Sequence, residues 1–198
     1  MAHFMNGCAH LWHGDLDTAH EELQAALSLA RQTGDVTTQA RCLTYLTVVF
    51  RKRGQVQEVR RLAAQSRAAA ANAHMPEYTA TAQANMAWAA WRDERLGDCE
   101  SEACAALERW GDLPAGHASA AFQWTALWPL IGVCLAQGRT AEAAAHAGRL
   151  LDPALMRLPA DIEDALGAAL ESRQHDDLVQ TGALLQGALA QAQMTGWL

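Results

Sequence analysis

Residues 23–54 read LQAALSLARQTGDVTTQARCLTYLTVVFRKRG. Leu23, Ala26, Leu27 and Ala30 recur at the spacing of one helix face. Gly34-Asp35 then interrupts the pattern with a turn residue followed by a helix-starting acid. Leu43, Leu46, Val49 and Phe50 restart the same periodicity, and Gly54 stops it again. A helix, a turn, a second helix and a second turn thus fit into thirty-two residues.

The same plan extends in both directions. Gly14, Gly54, Gly97 and Gly138 are separated by 40, 43 and 41 residues, and each stands between two amphipathic stretches. Regular recurrence at this distance marks an array of helical hairpins. Leu16, Ala19, Leu23, Ala26, Leu27 and Ala30 line the helix after Gly14; Val56, Val59, Leu62 and Ala63 line the one after Gly54. Ala84, Ala87, Trp88 and Trp91 lead to a turn at Leu96-Gly97-Asp98, followed by Ala103, Ala106, Leu107 and Trp110. The Gly111–Gly116 stretch reads as a loop, and a fourth hairpin is expected from His117. Its first helix contains Pro129, which is expected to kink or split it. Five units follow, with approximate bounds 1–35, 36–75, 76–113, 114–153 and 154–198. The expected architecture is a single all-α domain, a right-handed superhelix of four to five hairpins with an atypical last unit as its cap.

Composition agrees. Hydrophobic residues make up 51% of 198 residues, and alanine, the best helix former, leads them. Two tyrosines, three phenylalanines and sparse valine and isoleucine argue against extensive sheet. The net charge of −7 speaks against direct nucleic-acid binding. No run of 18 apolar residues suggests a membrane span. Cys8, Cys42, Cys99, Cys104 and Cys134 form no CxxC pair, which fits buried thiols in a cytoplasmic protein.

Several residue groups carry the spacing of a tetratricopeptide repeat. In the second hairpin these are Leu43, Leu46, Thr47, Phe50, Gly54, Val59 and Leu62. In the fourth they are Leu127, Leu130, Ile131, Cys134, Gly138 and Ala143; in the first, Gly7, Gly14-Asp15, Ala19 and Ala26. The period exceeds the standard 34 residues. With Ala30–Asp35, and with the ending Ala190–Leu198, it resembles the repeat regions of maltose-activator-type and LuxR-type bacterial ATPase regulators. That resemblance implies a sensor or scaffold module in signalling or transcription regulation, flanked in the family by an ATPase domain. No GxxxxGK[ST] motif occurs here, since Lys52 is the only lysine and follows Arg51.

Tetratricopeptide arrays line a concave face with their first helices. The register then aims Trp88, Trp91, Trp124, Thr125 and Trp128 into a groove, with Arg41, Thr44, Val48 and Arg51 along it. Such a groove suits a protein segment, a peptide or a small inducer. Alternatively, the tryptophans fill gaps between alanine-rich helices. Lys52, Arg53, Arg60, Arg61 and Arg67 join Arg41 and Arg51 in a basic stretch of about +6, leaving about −13 elsewhere. It reads either as a docking surface for an acidic partner or as a solvated face with ion pairs between units. His3, His10, His13 and His20 lack the convergent partners a metal site needs, so no metal and no cofactor is expected. No catalytic motif such as GxSxG occurs, and a binding role is expected rather than an enzyme. The alternative is a homo-oligomerisation module, a homodimer first, built on an unpaired terminal face.

Overall fold

The computed structural model describes residues 1–114 and 121–198. Among these, all regular structure is helical. The ten helices are α1 (Ala2–His13), α2 (Leu16–Thr33), α3 (Val36–Lys52), α4 (Val56–Asn72) and α5 (Pro76–Arg92), then α6 (Leu96–Gly111), α7 (Trp124–Ala136), α8 (Thr140–Leu150), α9 (Ala160–Gln174) and α10 (Leu178–Met194). Consecutive helices pack on one another, and α5 also packs on α3 and α7. No described helix is long and apolar enough to cross a membrane.

Turns with a left-handed residue set the spacing. Positive φ occurs at Gly14, Gly34, Gly54, His74 and Glu94, twenty residues apart each time. It recurs at Gly138, and again at Asp176 and Gly196, themselves twenty apart. A left-handed residue lets the chain leave a helix and closes the last carbonyls. One helix with its turn therefore occupies twenty residues, and a pair occupies forty. The third turn departs from expectation. It lies at Asp93–Arg95 with Glu94 at φ 60°, and Gly97 sits inside the first turn of α6. Counting Glu94 in place of Gly97 makes the first two intervals forty residues each and leaves 44 from Glu94 to Gly138. The loop expected over Gly111–Gly116 and the hairpin start at His117 lie largely outside the described residues.

Acids start several helices. Asp15, Asp35 and Asp177 accept from the backbone N–H of Thr18, Thr38 and Gln180 at 3.2, 3.0 and 2.9 Å. Each thus satisfies one of the orphan donors at a helix start. Pro76 opens α5, where its missing N–H costs nothing.

Packing divides the helices into two kinds. The second helices α2, α4 and α6 bury five residues each, in one stripe. The first helices α3 and α5 bury nine each, and α7 buries eleven in unbroken sequence, Trp124–Cys134. Two glycines make room for a neighbouring side chain: a Cβ on Gly132 of α7 would stand 2.7 Å from Trp91 Nε1 of α5, and one on Gly7 of α1 would stand 2.6 Å from Leu23 Cγ of α2.

α7 runs unbroken through Pro129, against the expectation of a split. Pro129 has no N–H to give the Thr125 carbonyl four residues back. That carbonyl is buried, and Arg51 Nη1 donates to it at 2.8 Å. A side chain of α3 thus replaces the missing backbone donor of α7.

Candidate functional site

The interior where α3, α5 and α7 converge holds an alternating ladder of cations and indole rings. Arg92 lies 5.6 Å from the centroid of Trp88, and Arg51 lies 5.5 Å from it. Arg51 is also 5.0 Å from Trp124, Lys52 is 5.9 Å from Trp124, and Lys52 is 4.5 Å from Trp197. Each cation thus stands within cation–π range of a ring face. Helix geometry explains the order: Arg51 and Lys52 are adjacent at the end of α3, while Trp88 and Arg92 are one turn apart on α5.

The ladder begins at the surface, where Arg92 rims a cleft of about 510 Å³ shared with Trp91, Glu94, Leu96 and Ala136. It then passes inward to Arg51, only 1% exposed. It emerges at Trp197, which stacks on Trp12 with centroids 6.3 Å apart and meets Trp124 edge-on at 5.0 Å.

Electrostatically the ladder is one-sided. Among the described residues no carboxylate forms an ion pair with Arg51, Lys52 or Arg92. Arg51 donates to Thr125 O and, at 3.4 Å, to Asn85 Oδ1. Its Nε and Nη2 are buried with no acceptor among the described residues. Burial lowers the Arg51 pKa to about 9. Burial, with the charge of Arg51 beside it, lowers that of Lys52 to about 8. Desolvation disfavours the charged form in both cases.

A second aromatic group sits beside the ladder. Phe122, just ahead of α7, packs edge-on against Tyr45 at 5.3 Å and tilts against Tyr78 at 6.3 Å; Tyr45 in turn meets Phe4 at 5.3 Å. Buried hydroxyls nearby are satisfied. Thr44 and Ser66 share a hydrogen bond of 2.7 Å, and Thr125 donates to Phe122 O at 2.6 Å.

These positions correct the expected open groove. Trp88, Trp124, Thr125, Trp128, Thr44, Val48 and Arg51 are buried, and Trp91 and Arg41 are half-buried. The first helices touch neighbours on two sides, so the face expected to be concave and solvated is packed interior. Trp124 still joins Arg51 in one constellation, whereas Trp128 is core with its Nε1 unpartnered among the described residues.

The basic stretch disperses. Arg53 pairs with Asp17 and donates to Leu16 O at 2.9 Å; Arg60 pairs with Asp93; Arg61 pairs with Glu58 at 2.6 Å. Two of these pairs tie neighbouring hairpins together. Arg67 is exposed, and Lys52 belongs to the ladder. Trp12, Trp197 and Asn85 were not singled out from sequence. Trp197 stands in the ending Ala190–Leu198 that resembles repeat-array ends, which was the available signal.

No family model matches the chain, and no curated protein matches it either.

Proposed function

We propose that this chain is a tetratricopeptide-like helical-repeat module that binds a protein segment, a peptide or a small inducer. In this reading it serves as a cytoplasmic sensor or scaffold within a bacterial regulator. The forty-residue pairing of helices supports the repeat architecture. The observation that carries the binding role is the ladder: Arg51 and Lys52 held among indoles, with no described carboxylate beside them. Arg51 has a structural use in satisfying the Thr125 carbonyl, whereas Lys52 makes no side-chain hydrogen bond among the described residues and its partly buried charge has no such use. Charge retained at a cost, with a perturbed pKa, concentrates where proteins meet ligands. The residues committed to this role are Arg51, Lys52, Trp124 and Trp197.

The test is residue-resolved NMR titration with a panel of acidic peptides and small organic acids. Indole N–H shifts concentrated on Trp12, Trp124 and Trp197 support the module. A panel that moves none of them rejects it.

One observation favours self-association as a second reading. α10 carries no charged residue along Leu178–Met194 and exposes Leu178, Val179 and Met194. Apolar residues exposed at both ends of an uncharged helix offer contacts to a second copy. A sedimentation coefficient independent of concentration removes that reading.

A further inference from the structure

Trp197 covers Lys52 through ring contacts alone. Its indole stacks on Trp12, abuts Trp124 and lies over the Lys52 ammonium. Among the described residues no side-chain hydrogen bond ties Trp197 to the helices it covers. Two backbone donors, Trp197 N–H and Leu198 N–H, return to Ala192 O of α10 at 2.7 and 3.1 Å. The connection to α10 runs through Gly196 at φ 74°, which lies in ordinary contact range of Lys52. Leu198 beyond Trp197 is buried in the core, so the backbone stays anchored and the indole leaves by rotation about its own side-chain bonds.

The slot left behind has two chemical requirements. Its walls, Trp12 and Trp124, call for a flat ring. Its floor, Lys52 with Arg51 one ring deeper, calls for a negative charge, which Trp197 does not supply. We propose that the slot between Trp12, Lys52 and Trp124 binds a planar aromatic carboxylate, and that Trp197 is the built-in occupant such a ligand displaces. This rests on reading the chain as a binding module and names the ligand class for it. A carboxylate coplanar with its ring fits a space one ring thick, and it relieves the mutual repulsion of Arg51 and Lys52 that a neutral ring leaves in place. A neutral aromatic gains nothing over the indole already present. Because Trp197 belongs to the same chain and its backbone is held in place, its effective concentration is high, and it sets a threshold that only a ring bearing charge overcomes.

The probe is 1-naphthoate, with 1-naphthamide as the neutral control, titrated calorimetrically into the wild type, Trp197→Ala and Trp197→Ala/Lys52→Met. Trp197→Ala is expected to bind the acid at least about tenfold more tightly than the wild type, because the tethered competitor is gone. The amide is expected to bind Trp197→Ala about tenfold more weakly than the acid, and Lys52→Met to remove that preference. In the wild-type protein, the Trp197 indole N–H resonance is expected to move towards its solvent-exposed position as acid is added. Equal affinity for acid and amide, or a Trp197 resonance unmoved by millimolar acid, overturns the proposal. The resonance requires no variant, so it decides the matter even if Trp197→Ala does not fold. Should naphthoate fail while acidic peptides still move the Trp12 and Trp124 indoles, the ligand class is wrong and the binding module stands. Should nothing move them, both fall.

Discussion

The second helices α2, α4 and α6 bury one stripe each, whereas the first helices α3, α5 and α7 are enclosed on nearly every side. On α4 the buried set is Val59, Leu62, Ala63, Ser66 and Ala70, the spacing of a single helix face. On α7 it is every residue from Trp124 to Cys134. The first pattern repeats because each of these helices packs through one face and leaves the other to solvent. The second does not repeat, since what fills the enclosed side depends on which helices cross it: Arg51 under one, Asn85 under the next, Trp124 and Phe122 elsewhere. Repetition marks the one-striped helices, and the exceptions gather on the enclosed ones.

The largest expected effect tests whether the enclosed side is core. Trp128 is fully buried, so Trp128→Ala is expected to lower unfolding free energy by about 3–5 kcal/mol in denaturant titration. A loss below about 1 kcal/mol, typical of an exposed site, would place Trp128 on an open face and erase the contrast between the two kinds of helix.

The next tests the bond between α3 and α7. Arg51→Met leaves the Thr125 carbonyl without a donor, an expected loss of about 1–3 kcal/mol from that acceptor. Pro129→Ala restores the backbone donor to the same carbonyl. In that background Arg51→Met is expected to be better tolerated, with a coupling of about 1 kcal/mol in a double-mutant cycle. Additive effects would show that Arg51 does not stand in for the missing N–H.

The smallest is a matter of pH. The folded pKa of Lys52, about 8, lies below its ordinary value of 10.5. Above pH 8 the folded protein has released a proton that the unfolded chain still binds, so stability rises with pH across that window. Between pH 7.5 and 9 the wild type is expected to gain about 1 kcal/mol relative to Lys52→Met. Parallel profiles would mean that the ammonium is solvated and that Trp197 does not cover it.

The part of the molecule that repeats was legible in the sequence. Leu23–Gly54 announces two helices and two turns, and all regular structure among the described residues is helical. Glu94 was missed because a left-handed turn occupied by a glutamate has no compositional flag, and Gly97 nearby drew the assignment three residues too far. The tryptophans were read as groove residues because one-stripe periodicity assigns every helix a solvent side. That assumption holds for α4 and fails for α7. The Arg51–Thr125 bond lay beyond any local reading, since its cause, Pro129, stands on another hairpin. Trp197 over Lys52 was hidden for the same reason: stacking between distant rings leaves no spacing to count.

The twenty-residue spacing of the left-handed turns bears on how such a chain could lengthen. Copying one helix with its turn would send the following helix in the opposite direction and present its outer face to the stack. Copying two restores both direction and face. Inherited length differences among proteins of this build should therefore come in steps of about forty residues.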